Sequence, residues 1–252
     1  MSSSRPPENL LLAALPEAER DRLDPFLHRE EMQAGQPITA PEEPIENVYF
    51  PYDAVTSTVQ EMSDGSSIET GLMGIEGLAG VQVWLRQRAT ASTTFVQVPG
   101  SGHRMSTEDF IREVREKPSP LNDLVAAYVH GFLVLTSMTA ACNRMHSIDQ
   151  RLCRWLRMTY NRARRTEFPL RHEFLAQMLG VHRPTLSTAA SILQKAGLIN
   201  YRYGKLTILD PDGLVKGACE CYSMMEAQFD KIFDQPWRRM AQARESRMER
   251  GL

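Results

Sequence analysis

Apolar residues recur at helical spacing between Leu170 and Ile199, in two short groups that a glycine separates. The first group predicts a helix over about 171–179 and the second predicts a helix over about 184–195. Gly180 falls where the first helix needs a residue that tolerates positive φ in order to end. Pro184 falls in the first turn of the second helix, where its missing N–H costs nothing. The side chains expected to be buried are Phe174, Leu175, Leu179, Leu186, Ala189, Ile192 and Leu193.

This pair of predicted helices matches a helix-turn-helix. Ala176 is small where two helices must approach closely, and Val181 and Leu186 supply apolar side chains at the corner. In that motif the second helix enters the DNA major groove with its N-terminal residues foremost. Two β-prone runs then flank Gly204-Lys205 and predict a hairpin, or wing. A helical hairpin in a protein core has the same apolar spacing, so charge and context must decide between the two interpretations.

Between Met32 and Met105 the pattern changes to short β-prone runs separated by turn residues. Asp64-Gly65 between two such runs predicts a hairpin. Several short strands at this spacing indicate a sandwich, barrel or jelly roll. Residues 8–31 are predicted to form a helical lead-in. The predicted strands are residues 46–51, 54–62, 67–74, 93–100 and 103–105.

A long helix is predicted from Leu121 to about Met145, because apolar positions there alternate in steps of four and three. The first domain has no evident need for so long a seam, so we interpret it as a homodimer interface; packing of the stripe on its own domain is the alternative. Ser147 and Gln150 form a capping-box pattern that opens another helix, and residues 213–252 are amphipathic. The seam consists of Leu121, Val125, Tyr128, Phe132, Leu135, Thr139 and Cys142.

Charge is distributed unevenly along the chain. Residues 1–150 hold 11 basic and 21 acidic residues, a net charge of −10, whereas residues 151–210 hold 11 basic and 3 acidic residues, a net charge of +8. A basic block around a helix-turn-helix is typical of a protein that neutralises phosphates. The acidic first half is expected to face away from DNA.

The sequence also limits where the protein acts. No uninterrupted apolar run reaches the ~18 residues of a membrane span, and the N-terminus does not show the pattern of a signal peptide. We therefore expect a cytoplasmic protein without membrane contact. Without an export signal, the four cysteines are not expected to form a disulfide framework.

The β-rich domain, the long helix and the basic winged helix-turn-helix, in this order, resemble the Crp–Fnr superfamily of bacterial transcription regulators. The stretches that carry the resemblance are ENVYFP, DGSSIETGLMGIEGLAG, HSIDQRLCRWL and FLAQMLGVHRPTLSTAASILQKAGLI, within about residues 8–215. The resemblance implies an α+β protein with four segments. These are a cyclic-nucleotide-binding-like β-roll or jelly-roll sensor domain (1–118), a dimerisation helix (119–146), a winged helix-turn-helix (147–215) and a C-terminal helical extension (216–252).

The resemblance implies a homodimeric regulator, not an enzyme, that binds a two-fold symmetric operator with a recognition helix at about 183–196 and has RNA polymerase as a further partner. By position, Arg183, Pro184 and Thr188 meet base edges. Arg183 suits the O6 and N7 atoms of guanine. The family's best-known members carry Glu and Arg at the other two positions, so we expect a different operator here. The expected DNA backbone contacts are Arg171, His182, Thr185, Ser187, Arg202 and Lys205.

The effector position departs from the family pattern. Cyclic-nucleotide binders of this family have a Glu after a glycine-flanked turn and an Arg-Ser pair later in the chain. Here no Glu follows the turn, and Ser92 or Thr93 stands at the expected Arg position. A buried phosphate would lack a guanidinium, so we expect neither cyclic AMP nor cyclic GMP. An unidentified signal would act at a pocket formed by Gly77, Leu78, Ala79, Gly80, Ser92 and Thr93.

Other candidate sites are weaker. Cys142 and His146 share a helix face, but two ligands are too few for a metal, and Cys219 and Cys221 would diverge inside a helix. We therefore expect no metal and no cofactor. No nucleophile–base pair or glycine-rich phosphate loop is visible, which disfavours catalysis. Two other functions stay open: a ligand-sensing adaptor that acts through protein partners, and a constitutive DNA-binding regulator without a ligand.

Overall fold

The computed structural model describes residues 8–202 and 204–233. Two short helices lead into seven strands, a 26-residue helix follows, and the C-terminal part combines helices with a small sheet. The strands are β1 (His28–Met32), β2 (Pro37–Thr39), β3 (Asn47–Pro51), β4 (Val55–Glu61), β5 (Ser67–Met73), β6 (Thr93–Val98), β7 (Gly100–Ser106), β8 (Glu167–Pro169), β9 (Ile199–Arg202) and β10 (Lys205–Ile208). The α-helices are α1 (Leu10–Ala13), α2 (Glu17–Leu23), α3 (Thr107–Phe110), α4 (Pro120–Met145), α5 (Ile148–Ala163), α6 (His172–Met178), α7 (Arg183–Lys195), α8 (Pro211–Gly217) and α9 (Cys221–Ile232), with 3₁₀ turns at Asp24–Phe26 and Val81–Val83 and a π-turn at Ile111–Arg115.

Two antiparallel sheets form the N-terminal β-roll. One has the strand order β1-β7-β3 and the other has the order β2-β6-β4-β5. Apolar side chains from both sheets, among them Val48, Phe50, Val96, Val98 and Met105, are completely buried. With the long helix and the C-terminal winged helix-turn-helix, this arrangement confirms the predicted α+β fold class. The exact division into four segments stays a prediction.

The predicted hairpin at Asp64-Gly65 joins β4 to β5. Asp64 accepts a hydrogen bond from the Ser66 N–H at 2.9 Å, and Gly65 has a φ of +81°. The lead-in prediction was wrong for residues 28–31, which belong to β1. This strand, HREEM, pairs with β7 at the edge of its sheet and keeps most of its side chains exposed. Its polar composition therefore hid the strand pattern.

The seam of α4 lies against the chain itself. Six of its seven side chains are buried and Phe132 is partly buried. Phe132 covers Gly71 of β5, where an added Cβ would lie 2.6 Å from the ring. Tyr128 packs on Phe229 of α9, with ring centroids 6.2 Å apart. The chain itself buries, fully or in part, the predicted dimer residues Leu121, Val125, Tyr128, Phe132, Leu135, Thr139 and Cys142, which favours the alternative that this stripe packs within the chain.

The remaining circumference of α4 is also largely apolar. The helix is long and apolar enough to cross a membrane by length and composition, with a hydropathy of 1.6 and one third of that window buried. A helix with apolar residues all round is typical of one that packs on two sides. Leu133 and Met145 are the large apolar side chains on its exposed face.

The C-terminal part begins with α5, two residues after α4. Its predicted capping box is present: the Ser147 hydroxyl accepts from the Gln150 N–H, and the Gln150 side chain accepts from the Ser147 N–H. The predicted wing is the β9–β10 hairpin, and β8 completes a sheet of order β8-β10-β9. Asp210 caps α8 through the Gly213 N–H at 2.8 Å.

The predicted helical extension is broken at residues 218–220, between α8 and α9. Among the apolar side chains of this amphipathic segment, Met225 and Phe229 are buried, whereas Met224 is half exposed. Trp237 of the same segment lies outside the described residues. Helix α9 packs directly against α4 at Gly131, where an added Cβ would make an ordinary van der Waals contact with the Phe229 ring at 3.4 Å.

Candidate DNA-binding surface

The turn between α6 and α7 has the geometry of a helix-turn-helix. Gly180 adopts a φ of +60° and donates to the Gln177 carbonyl at 3.0 Å, and Val181 donates to the Ala176 carbonyl at 3.0 Å. The predicted burial is largely confirmed, since Leu175, Leu179, Leu186, Ala189 and Leu193 are buried. Phe174 is only partly buried. Ile192 was predicted to be buried and is 47% exposed, because it lies about 100° around the helix from Leu193.

The N-terminal turn of α7 is open to solvent. His182, Arg183, Pro184, Thr185 and Thr188 are all exposed. Thr188 donates its hydroxyl hydrogen to the Pro184 carbonyl at 3.1 Å. Arg183 Nε lies 3.0 Å from Glu173 Oε1 on α6, with side-chain exposures of 64% and 60%. An exposed pair of this kind contributes little free energy, so the guanidinium can exchange it for another acceptor.

Ser187 differs from its neighbours because it faces the base of the motif. Its hydroxyl lies 3.2 Å from Nδ1 of His172, whose ring stacks on Tyr201 with centroids 4.1 Å apart. Burial lowers the pKa of His172, so this ring is neutral at neutral pH. Ser187 is therefore half-buried and already engaged, which makes it a poorer candidate for a DNA phosphate than the exposed hydroxyls.

The wing adds cations beside the helix-turn-helix. Arg202 and Lys205 are exposed at the two sides of the hairpin, and Lys205 Nζ lies 2.5 Å from Glu167 Oε1. Arg171 comes close to the wing, since an added Cβ on Gly204 would lie 4.0 Å from its Cγ. The cations predicted to contact the DNA backbone therefore extend from the start of α6 to the wing.

Residues 150–216 match the sequence family described as the Crp-like helix-turn-helix domain. This segment is therefore a Crp-like helix-turn-helix domain. Known structures of Crp–Fnr regulators share the fold over 75–82% of the chain. No curated protein matches the chain in sequence.

Three similar structures show how far the fold likeness extends. A Crp-family regulator from Thermus thermophilus has 16% identity and a TM-score of 0.62, covering 75% of this chain and 96% of its own. FixK2 from Bradyrhizobium japonicum has 14% identity and a TM-score of 0.62, covering 77% and 98%. The c-di-GMP-responsive global regulator CLP from Xanthomonas campestris has 15% identity and a TM-score of 0.60, covering 77% and 99%.

In this chain the helix-turn-helix is docked on the β-roll, a contact that the sequence did not predict. Gln177 of α6 donates to the Ser67 hydroxyl at 2.5 Å. A Cβ on Gly180 would lie 2.5 Å from Ile68 Cδ1. A cleft of about 680 Å³ separates the tip of the β4–β5 hairpin from the turn, and His182 and Arg183 line it. The hairpin therefore lies beside the residues expected to meet DNA.

Buried polar groups connect α5 to the β-roll beneath this contact. Trp155 donates from Nε1 to Glu69 Oε1 at 2.9 Å, and Ser57 donates to Glu69 Oε2 at 2.7 Å. Burial raises the pKa of Glu69 to about 7. A second link joins Arg162 to Glu76. Both carboxylates belong to the sensor side and both of their partners on α5 belong to the Crp-like domain.

The predicted effector pocket is packed with side chains of this chain. Ala79 exchanges two backbone hydrogen bonds with Tyr49. Asn9 donates to the Gly77 carbonyl at 2.6 Å, and a Cβ on Gly77 would lie 2.0 Å from the Tyr128 ring. Leu78 and Gly80 are buried in the same turn. Ser92 and Thr93 lie at the start of β6, where the Thr39 hydroxyl donates to the Ser92 carbonyl at 3.4 Å. The structure therefore does not bring the six residues around one open cavity.

A cluster of four metal-ligating side chains, which we call the thiol–imidazole cluster, lies where α4 meets the α8–α9 connection. It consists of Cys142, His146, Cys219 and Cys221. The prediction that the two cysteines of the Cys-x-Cys sequence diverge was wrong, because the helix is interrupted there. Hydrogen bonding from the Cys219 thiol lowers the pKa of Cys142 to about 5, and the contact with Cys142 raises the pKa of Cys219.

Proposed function

We propose that this chain is a Crp–Fnr transcription regulator that acts in the cytoplasm as a homodimer and binds an inverted-repeat operator, with one α7 helix in the major groove of each half-site. The observation that carries the proposal is the exposed N-terminal turn of α7 beside the cationic wing. This surface belongs to a segment with a net charge of +8, which favours binding to phosphates. An adaptor that binds only proteins has no need for so positive an electrostatic field.

Within this surface, Arg183, Pro184 and Thr188 read base edges. Arg183 releases Glu173 and donates to guanine. Pro184 and Thr188 contribute apolar and hydroxyl contacts, which favours an operator unlike that of the best-known members. His182, Thr185, Arg171, Arg202 and Lys205 bind the phosphate backbone. Ser187 orients His172 and contributes less to phosphate binding than the exposed hydroxyls do, because it is half-buried.

The homodimer forms through the face of α4 that the chain leaves exposed. Positions on this face follow one another by three or four residues, as a helix–helix contact requires. Small side chains at several of them allow a second helix to approach closely. The proposed contact residues are Ala127, His130, Leu133, Ser137, Ala141 and Arg144. They replace the buried seam as the dimer surface.

A signal at the β-roll controls access to DNA by loosening the docked helix-turn-helix. The packed turn at Gly77–Gly80 favours a signal other than a cyclic nucleotide at that position. Once bound to its operator, the dimer contacts RNA polymerase. A constitutive regulator would have no use for the docking contact between Gln177 and Ser67.

Selection of bound sequences from a random DNA pool, with purified protein at two salt concentrations, tests the proposal. We expect an inverted repeat whose half-sites lie about one DNA turn, or roughly 34 Å, apart. Binding should weaken steeply with salt, because phosphate contacts release counterions. If no motif is enriched with the purified protein or with cell extract added, the proposed DNA-binding role is wrong and the adaptor function is favoured.

A further inference from the structure

The thiol–imidazole cluster joins two parts of the chain that are far apart in sequence. Cys142 and His146 lie one turn apart at the C-terminal end of α4. Cys219 and Cys221 flank the residue that precedes α9, so their side chains are not held on one regular helix. The four ligand atoms all lie within 4.8 Å of one another. Three of the chain's four cysteines therefore converge on a single histidine.

Two distances within the cluster are close to those of a tetrahedral metal site. The Cys142 and Cys219 sulfurs are 3.5 Å apart, and the Cys221 sulfur lies 3.6 Å from His146 Nδ1. Around a tetrahedral Zn²⁺, ligand atoms are separated by about 3.8 Å for two sulfurs and about 3.6 Å for a sulfur and a nitrogen. A disulfide would instead bring two sulfurs to about 2.05 Å.

The surroundings match those of metal sites in two ways. His146 Nε2 lies 3.2 Å from Glu220 Oε2, so the imidazole can donate to a carboxylate from one nitrogen while it presents Nδ1 to a metal. Arg151 and Arg154 are buried and lie within electrostatic reach of the Cys142 sulfur. Three thiolates around Zn²⁺ leave about one negative charge, and these guanidiniums can balance it.

We propose that Cys142, His146, Cys219 and Cys221 bind one Zn²⁺ in a closed Cys₃His site. All four positions of a tetrahedral ion are then taken by the protein, so the site is structural and not catalytic. Binding fixes the α8–α9 connection to the end of α4. Because α9 covers Tyr128 on the buried side of α4, the ion stabilises the packing on which the position of the Crp-like domain depends.

Metal analysis of the purified full-length protein, prepared without a metal-affinity tag and passed through gel filtration, tests the proposal. We expect about one zinc ion per chain. Cys142→Ser and Cys219→Ser should lower the zinc content far below one equivalent. Cys153→Ser is the matched control, since Cys153 is also buried but lies outside the cluster, and it should keep its zinc.

A second measurement protects the test against variants that fail to fold. Wild-type protein is stripped with a chelator and loaded with Co²⁺, and its absorption spectrum is recorded. A tetrahedral site with three thiolates should give thiolate-to-cobalt charge-transfer bands and visible bands that Zn²⁺ removes. Zinc should also raise the thermal unfolding temperature of the stripped protein.

Three results would overturn the proposal. The first is wild-type protein that contains and takes up well under one equivalent of zinc while its thiols react as free cysteines. The second is a Cys142–Cys219 disulfide found by peptide mapping of non-reduced protein, which would make the cluster a redox pair. The third is iron together with acid-labile sulfide, which would make it an iron–sulfur site.

Discussion

Arg162 donates from Nε to Glu76 Oε1 at 2.8 Å, and neither side chain has any solvent exposure. Glu76 belongs to the turn after β5 and Arg162 belongs to α5, so the pair joins the sensor to the Crp-like domain. Arg162 NH1 also lies 3.7 Å from Glu226 Oε1 on α9. Gly74 makes room for the pair, because a Cβ there would lie 2.6 Å from Arg162 Cβ. One guanidinium thus connects three parts of the chain.

Removing Arg162 should destabilise the protein more than removing the charge of Glu76. Arg162→Met removes the cation that both buried carboxylates contact, and we expect a loss of about 3–5 kcal/mol. Glu76→Gln leaves Arg162 with Glu226 and should cost less. Urea denaturation measures both values. If Arg162→Met is as stable as the wild type, the triad does not hold the domains together.

Glu69 should make stability fall as the pH rises from acid to neutral. Burial raises its pKa from 4.5 to about 7, so the folded state holds this proton more tightly than the unfolded chain. The stabilisation is complete below pH 4.5 and is lost as the pH rises through about 7. A shift of this size corresponds to about 3 kcal/mol.

Glu69→Gln provides the comparison, because its amide oxygen still accepts from Trp155. Denaturation of both proteins between about pH 5 and about pH 8 should show a stability difference that changes with pH. Burial also lowers the pKa of His103 to about 4, but this group is common to both proteins and cancels in the difference. Parallel pH profiles would show that Glu69 does not titrate as expected.

The exposed face of α4 should carry dimerisation. Leu133 is 56% exposed in the single chain, and Leu133→Asp would place a charge in the proposed helix–helix contact. We expect a monomer in sedimentation experiments, with operator affinity reduced. Leu209→Asp is the control, since Leu209 is equally exposed and lies beyond the wing. A dimer that survives Leu133→Asp would place the interface elsewhere.

The sequence predicted the elements well wherever a local rule defines them. The spacing of α4, the capping box at Ser147, the Asp64-Gly65 turn and the stop at Gly180 depend on neighbouring residues only. The edge strand β1 was missed because its polar residues carry no alternation. The local sequence pattern was therefore sufficient to predict only those elements that have an amphipathic or turn signature.

The partners of each surface could not be predicted in the same way. The α4 seam was visible, but α9 fills it from about 100 residues further along the chain. The convergence of Cys142 with Cys219 depends on the break before α9, which the helical periodicity concealed. The docking of Gly180 on Ile68 could not be predicted from the sequence of either segment alone. All three contacts depend on packing between segments that are distant in the sequence.

Arg183 and Lys205 should affect DNA binding differently. Arg183→Ala should cost about 1–3 kcal/mol and relax base preference at one position of each half-site. Lys205→Ala should weaken binding to every sequence and reduce the salt dependence by about one counterion. Competition binding with operator variants at several salt concentrations separates the two effects. Equal weakening on all sequences by Arg183→Ala would show that it is not a base reader.

Ile68 should hold the helix-turn-helix in its docked position. Its Cδ1 lies against Gly180, and the adjacent Ser67 accepts from Gln177. Ile68→Asp places a charge in this apolar contact and should release the turn, which raises the operator affinity of the purified protein by about 5- to 150-fold if docking opposes binding. Leu85→Asp, at an exposed apolar residue away from the turn, should leave affinity unchanged. Both variants are compared by fluorescence anisotropy on the selected operator. If docking opposes DNA binding, undocking must raise the operator affinity. A variant that undocks without gaining affinity would mean that the β4–β5 hairpin does not obstruct DNA.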